Sequence, residues 1–230
     1  LFQNIVTNVR YFPEFRLFEM GNEIHPKGMG EPVEIMHAAG ALYSAHGNEQ
    51  DFFEMKRVVE CLFPGARLAA AEARAFEHPA RAADVRWRDV TIGRLFELHP
   101  SVLQTEGLEG RAIVFDVDVI VARGVAAAAA SRYESLRKFP TSSFDLSVVC
   151  DLHTPADSIG DALRGLIGAS LAGIEFVRQY TGAPFGPNQK SVSYRLEVDA
   201  FDHTMTTDEV TTIRSRVIEG MRSLGFELRV

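Results

Sequence analysis

The sequence predicts an α+β protein in two parts. An antiparallel sheet domain with few helices occupies residues 1–136, and a four-stranded antiparallel sheet covered on one face by two helices occupies 137–230. Three observations carry this. Apolar–polar alternation of period two recurs through the first part, at 15–20, 33–43, 85–98 and 111–119, with connections too short for crossover helices. From 146 onward, period-two runs alternate with period-3.6 runs in the order strand, helix, strand, strand, helix, strand. Between them, Lys138-Phe139-Pro140 forms a basic, proline-fixed joint where one pattern closes and the other opens.

Composition sets wide bounds. The 230 residues, 46% hydrophobic and 24% charged, are ordinary for a globular protein able to bury its own core. A formal net charge of −7 argues against a surface given over wholly to nucleic acid or membrane, while leaving room for a local basic patch. Cys61 and Cys150 lie in apolar runs, which suits buried thiols in a reducing compartment better than a disulfide framework or a metal-ligand pattern. No run reaches the ~18 apolar residues of a membrane span, and the first residues lack the layout of a signal peptide, so a cytoplasmic location is expected. The start at Leu1, within sequence already patterned like an element, fits a piece of a longer chain and equally a processed start.

In the first part, Phe15-Arg16-Leu17-Phe18-Glu19-Met20 reads as a half-buried strand. Gly21 and the stretch 26–32 read as the turn, and 33–43 as a second strand interrupted by Gly40. Residues 51–63 place Phe52, Met55, Val59 and Leu62 on one helical face, with Asp51 as N-cap and Pro64-Gly65 as the stop. Residues 69–76 fit either helix or strand. Two β-rich runs meet at a tight polar turn within 85–98; His99-Pro100 ends the second, and Ser101 can cap a short helical turn. Another strand follows at 111–119, then a helix-prone connector at 125–130.

In the second part, 146–150 is a strand. Thr154-Pro155 opens a helix whose core face carries Ile159, Leu163, Ile167 and Leu171 and which Gly173 ends. Strands at 174–180 and 191–198 flank a loop at 182–187. Thr206-Thr207-Asp208-Glu209 is a capping box opening a helix with Val210, Ile213, Val217, Met221 and Leu224 inward; Gly225 stops it before a last strand at 226–230. The order βαββαβ is the ferredoxin-like arrangement.

Catalytic signatures are sparse. The seven histidines never pair at i, i+3 or i, i+4, and no carboxylate cluster gives them metal-site spacing, so no metal site is expected. G-x-S-x-G, P-loop and G-x-G-x-x-G patterns are all missing from the sequence. Asp116 and Asp118 share one face of a strand, and alternation with Val114, Val117 and Val119 reads as a solvated strand face before a site. Trp87 between Arg86 and Arg88 reads as an amphipathic hairpin position before a base-stacking one. The better candidate is the sheet face that the two helices leave open. Alternation puts Ser191, Ser193 and Arg195 on it, Arg178 and Tyr180 share a face of the neighbouring strand, and Lys190 and Arg229 lie near its edges. Tyr180 is the one obvious aromatic for stacking.

The order of motifs resembles the C-terminal third of the bacterial phenylalanyl-tRNA synthetase β subunit. In the first part the likeness rests on Arg16-Leu17-Phe18-Glu19-Met20-Gly21, Asp51-Phe52-Phe53 with Lys56, Glu77-His78-Pro79-Ala80-Arg81, Glu97-Leu98-His99-Pro100 and Phe115-Asp116-Val117-Asp118. In the second it rests on Lys138-Phe139-Pro140, Tyr180-Thr181-Gly182, Lys190-Ser191 with Arg195-Leu196, and 204–210. The resemblance implies a class II synthetase-like antiparallel fold without catalytic residues, followed by a ferredoxin-like anticodon-binding domain. It implies tRNA(Phe) and a catalytic α subunit as partners in a heterotetramer. It places the use of ATP and Mg²⁺ in that α subunit, with no cofactor and no chemistry in this chain. The tRNA-binding residues expected are Lys138, Arg178, Tyr180, Lys190, Arg195 and Arg229. Ser143-Phe144 and His203 stand where the family has cations, and residues 137–230 hold ten Lys and Arg against twelve Asp and Glu. A second reading makes the open face a docking site for a protein partner or a small regulatory ligand.

Overall fold

The computed structural model describes residues 1–28, 30–128, 138–200 and 202–229. They form two compact units, and the expected boundary at 136/137 lies outside the described residues.

The first unit runs α1 (Phe2–Asn8), β1 (Glu14–His25), β2 (Val33–Ser44), α2 (Gln50–Leu62), β3 (Arg67–Ala70), β4 (Glu77–Trp87), β5 (Val90–Leu98), α3 (Pro100–Thr105), β6 (Arg111–Asp118) and α4 (Val119–Ala127). Its six strands make one antiparallel sheet in the order β1-β2-β6-β5-β4-β3. Period-two alternation splits β6 between two cores. Ile113, Phe115 and Val117 face the helices α2 and α4, while Ala112 and Val114 face α1 and α3.

Several boundaries differ from expectation for local reasons. β1 passes through Gly21 to His25, because twelve residues pair with β2 without a break. Gly40 does not interrupt β2; the Phe115 ring lies where its Cβ would stand, so the missing side chain is filled by a neighbour's ring. Asp51 is not the cap of α2, since the helix already starts at Gln50. The Oδ1 of Asn48 accepts from the Gln50 N–H at 2.8 Å, and Asp51 accepts from the Asn48 N–H at 3.1 Å. On that helix Met55 and Val59 are buried, while Leu62, in the last turn, is exposed. Of the ambiguous stretch 69–76, residues 69 and 70 end strand β3, and 71–76 are neither helix nor strand. β4 starts at Glu77, well before 85, and a register shift between Glu77 and Ala82 accommodates Pro79. Arg88 and Asp89, both at positive φ (50° and 67°), form the two-residue hairpin turn to β5. His99, not Ser101, caps α3, its Nδ1 accepting from the Ser101 N–H at 3.2 Å. The connector expected at 125–130 is the end of α4, with 129 and 130 outside the described residues.

The second unit runs β7 (Ser142–Asp151), α5 (Ala156–Ile167), β8 (Leu171–Tyr180), β9 (Gln189–Val198), α6 (Thr207–Ser223) and β10 (Glu227–Arg229), with the sheet order β10-β7-β9-β8. Pro155 occupies the cap position of α5, so Thr154 lies outside it. The helix ends at Gly168, whose φ of 66° suits a residue without Cβ; Leu171 and Gly173 belong to β8. The Thr206–Glu209 capping box is formed. Leu146, Val148, Val192, Leu196 and Val198 meet Ile159, Leu163, Ile213, Val217 and Met221 in the core. Leu224 caps α6 and is exposed rather than inward. Among the described residues, no helix is long and apolar enough to cross a membrane.

Candidate nucleic-acid interface

The helix-free face of the second sheet is assembled by register. Ser147 on β7 stands beside Ser193 on β9, which stands beside Arg178 on β8; Tyr180 stands beside Ser191, and Arg229 on β10 beside Ser147. A register shift between Phe176 and Arg178 turns Arg178 onto this face, next to Ser193. Ser147, Arg178, Tyr180, Ser191, Ser193 and Arg229 line a shallow cavity of about 500 Å³, closed at one end by Ala183, Pro184 and Phe185 from the loop between β8 and β9.

Two aromatic rings frame it. Tyr180, 50% exposed, donates its hydroxyl hydrogen to the Ala183 carbonyl at 3.1 Å, and its ring meets Phe185 edge-on at 6.2 Å. The Arg229 guanidinium lies 5.9 Å from the centre of the Phe185 ring. The Ser147 and Ser193 hydroxyls share a hydrogen bond at 2.8 Å. Two arginines, three hydroxyls and an exposed ring on one concave surface can pair phosphate, hydrogen-bond a base edge and stack on a base. Phe185 has no periodic pattern to announce it, since it lies between Pro184 and Gly186 in a loop.

The six residues expected to bind do not all converge. Arg178, Tyr180 and Arg229 line the cavity. Arg195 is on the same face, but its guanidinium is forked onto Asp145 at 3.0 and 3.3 Å, with Glu175 beside it in register. Lys190, only 6% exposed, lies on the opposite, helix-covered side, opposite Cys150, so it is placed in the core rather than at an edge. Lys138 is exposed ahead of β7. His203 is hydrogen-bonded to Asp202 and Glu209.

The first unit separates the paired aspartates. Asp118 caps α4, its Oδ1 accepting from the Ile120 and Val121 N–H groups at 2.8 and 2.9 Å. Asp116 instead accepts from His37 Nδ1 at 2.7 Å. Burial pulls the His37 pKa down, but the Asp116 hydrogen bond and the charges of Asp116, Glu23 and Asp118 outweigh it, so the imidazole ends above its ordinary 6.5. Asp116 stays 34% exposed on this strand face while meeting a partner from another strand 79 residues away.

Comparison with known proteins agrees with this arrangement. Residues 1–119 match the family model described as phenylalanyl tRNA synthetase beta chain CLM domain. Residues 137–229 match the ferredoxin-fold anticodon binding domain. The phenylalanine–tRNA ligase beta subunit of Solibacter usitatus is 42% identical over all of this chain and 29% of that protein. Its counterpart in Moorella thermoacetica is 33% identical over 93% of this chain and 28% of that protein, and the one in Carboxydothermus hydrogenoformans 28% identical over the same shares. The chain thus spans under a third of the length of these relatives. With a family model covering more than half of it and a second covering nearly all the rest, the chain belongs to the phenylalanyl-tRNA synthetase beta chain family.

Proposed function

We propose that this chain is the carboxy-terminal part of a phenylalanyl-tRNA synthetase β subunit, dividing near 136/137, and that its second unit binds tRNA(Phe) through the open sheet face. The first unit supports assembly with the catalytic α subunit, which attaches phenylalanine using ATP and Mg²⁺, in the cytoplasm. The observation that carries the reading is the convergence of Arg178, Tyr180, Phe185 and Arg229 on one cavity free of helices. Assembly is supported by Phe18, Met20 and Ile24, exposed on one face of the edge strand β1, the kind of apolar strip a partner covers.

The test is a tRNA(Phe) binding isotherm for the whole chain at several salt concentrations. Removing one phosphate-pairing cation, as in Arg178→Ala or Arg229→Ala, lowers the slope of log K against log salt by about 0.7, the single-strand value. Tyr180→Ala weakens binding by about 1–3 kcal/mol with the slope unchanged, the mark of stacking. Affinity that ignores salt, or that survives all three substitutions, rejects the open face as the tRNA site and favours a protein or small-ligand partner.

A further inference from the structure

We propose that Phe185 is a positioning residue of the open sheet face: its ring holds the Arg229 guanidinium over the cavity, ready to pair a phosphate of single-stranded RNA, and leaves the cation's charge intact. This rests on the reading of that face as the tRNA(Phe) site. Phe185 belongs to the loop that leaves β8 at one edge of the sheet, and Arg229 to β10 at the other edge. Neighbouring strands lie about 4.8 Å apart, so roughly 14 Å of sheet separates those edges. A guanidinium 5.9 Å from the ring centre therefore requires loop and side chain to lean toward each other above the cavity that both line.

The two partners differ in how firmly the backbone holds them. β10 is three residues long and pairs on one side only, with β7, so a long side chain on it has rotamer freedom to lose. The loop is pinned from several directions. The Phe185 N–H donates to the Gly182 carbonyl at 2.9 Å, the Gly186 N–H to Gln189 Oε1 at 3.1 Å and the Gln189 N–H to the Gly186 carbonyl at 3.0 Å. The Tyr180 hydroxyl donates to the Ala183 carbonyl at 3.1 Å, and its ring meets Phe185 edge-on. Phe185 is thus the fixed member of the pair and Arg229 the member it orients.

Arg195 on the same face shows what a carboxylate does instead. Asp145 orients that guanidinium but also neutralises it and occupies two of its donors. An aromatic face attracts a cation through its quadrupole and takes up neither the net charge nor the N–H fork that matches a phosphate. Register gives the held cation a purpose. Arg178, Ser193, Ser147 and Arg229 stand side by side across β8, β9, β7 and β10, two arginines ending a row whose middle is the hydrogen-bonded hydroxyl pair. Such a row suits a phosphodiester lying across the strands, while the exposed Tyr180 ring offers a neighbouring base its stacking surface.

The experiment is a double-mutant cycle on tRNA(Phe) binding by the whole chain at several salt concentrations, with Phe185→Leu, Phe185→Tyr, Arg229→Ala and the Phe185→Leu/Arg229→Ala pair. Phe185→Leu keeps an apolar side chain but removes the quadrupole; it is expected to weaken binding about 2–5-fold, the scale of an exposed cation–π contact, and to lower the salt slope toward that of Arg229→Ala. Phe185→Tyr keeps both affinity and slope. In the Arg229→Ala background Phe185→Leu adds nothing. In the free chain, the ring current of Phe185 moves the Arg229 side-chain proton resonances upfield, and Phe185→Leu removes that shift; circular dichroism melts confirm that each variant is folded, and Phe185→Met replaces Phe185→Leu should that one not be. Loss of affinity that persists in full in the Arg229→Ala background with the slope unchanged makes Phe185 a stacking platform for a base and overturns the proposal, as does an Arg229 spectrum indifferent to Phe185→Leu. A parent chain whose tRNA affinity ignores salt instead rejects the open-face reading itself, and the role assigned to Phe185 with it.

Discussion

Arg94 lays its guanidinium along the Glu77 carboxylate, Nε 2.9 Å from Oε1 and Nη2 2.5 Å from Oε2, with Glu77 only 1% exposed. Its remaining nitrogen, Nη1, reaches Asp84 at 2.8 Å, so one cation ties β4 to β5 and satisfies a buried anion. Glu77→Ala is expected to cost about 3–5 kcal/mol, because it leaves a partly buried guanidinium short of its partner. Trp87, the single tryptophan and part of the first unit, reports this in a urea titration. Joint replacement by Leu at 77 and Met at 94 should cost far less. A destabilisation under about 1 kcal/mol for Glu77→Ala would mean that the pair behaves as a solvated one.

Arg195 and Arg178 share a sheet face but not an electrostatic setting. Asp145 already forks Arg195, whereas Arg178 faces hydroxyls and the cavity. Arg195→Ala should therefore weaken tRNA(Phe) binding less than Arg178→Ala, and Asp145→Asn should strengthen it by releasing a cation. Lys190→Ala should alter stability with no change in salt slope, since Lys190 lies in the core. An equal fall in slope for alanine at 178, 190 and 195 would contradict this ordering.

The start of α6 predicts an acid–base signature. Backbone and side-chain hydrogen bonds from Thr206, and then the His203 contact, pull the Glu209 pKa down to about 2 from 4.5. The hydrogen bond to Asp202, and then that to Glu209, raise His203 above 6.5. The lowered carboxylate contributes stability above its unfolded value, lost as pH falls toward 2; the raised imidazole contributes below 6.5, lost as pH rises through its folded value. The helix start is thus best held between about 4.5 and 6.5. An NMR titration should place the His203 midpoint above 6.5, and Glu209→Gln should lower it. A midpoint unmoved by that substitution would show that the hydrogen bond is not made in solution.

Tyr194 makes the complementary prediction at high pH. Burial, and then the charge of Asp157, push its pKa up to about 12, while its hydroxyl donates to the Ala156 carbonyl at 2.6 Å. The folded state favours the neutral phenol, so this stability is complete below pH 10 and is lost as pH rises from 10 toward 12. Ultraviolet titration should reveal one late tyrosine that disappears in Tyr194→Phe. That variant should cost about 0.5–1.5 kcal/mol at neutral pH.

The elements that read most clearly in the sequence are those whose stability is local or periodic. Alternation located β1, β5, β6 and β9, the capping box located α6, and the order βαββαβ followed from patterns within single segments. Helix edges read less well. Glu49, not Asp51, stands at the cap position of α2, His99 replaced Ser101 at α3, and Gly168 replaced Gly173 at the end of α5. Several nearby residues had suitable chemistry in each case, and backbone geometry chose among them.

By itself, then, the sequence determined the fold class, the family likeness and which face of the second sheet lacks helices. Tertiary structure alone decided what each charged side chain meets. The alternation of β9 already turns Lys190 inward with Val192 and Leu196, but that it stands across from Cys150 in a buried setting is set by the pairing with β7. Arg195 is taken by Asp145 from a strand 50 residues away. Phe185 comes to the cavity by a loop with no period, and His37 meets Asp116 and Glu23 only after three strands are in register. Periodicity within a segment says which way a side chain points. What stands there to receive it depends on how separate segments meet, which no local pattern encodes.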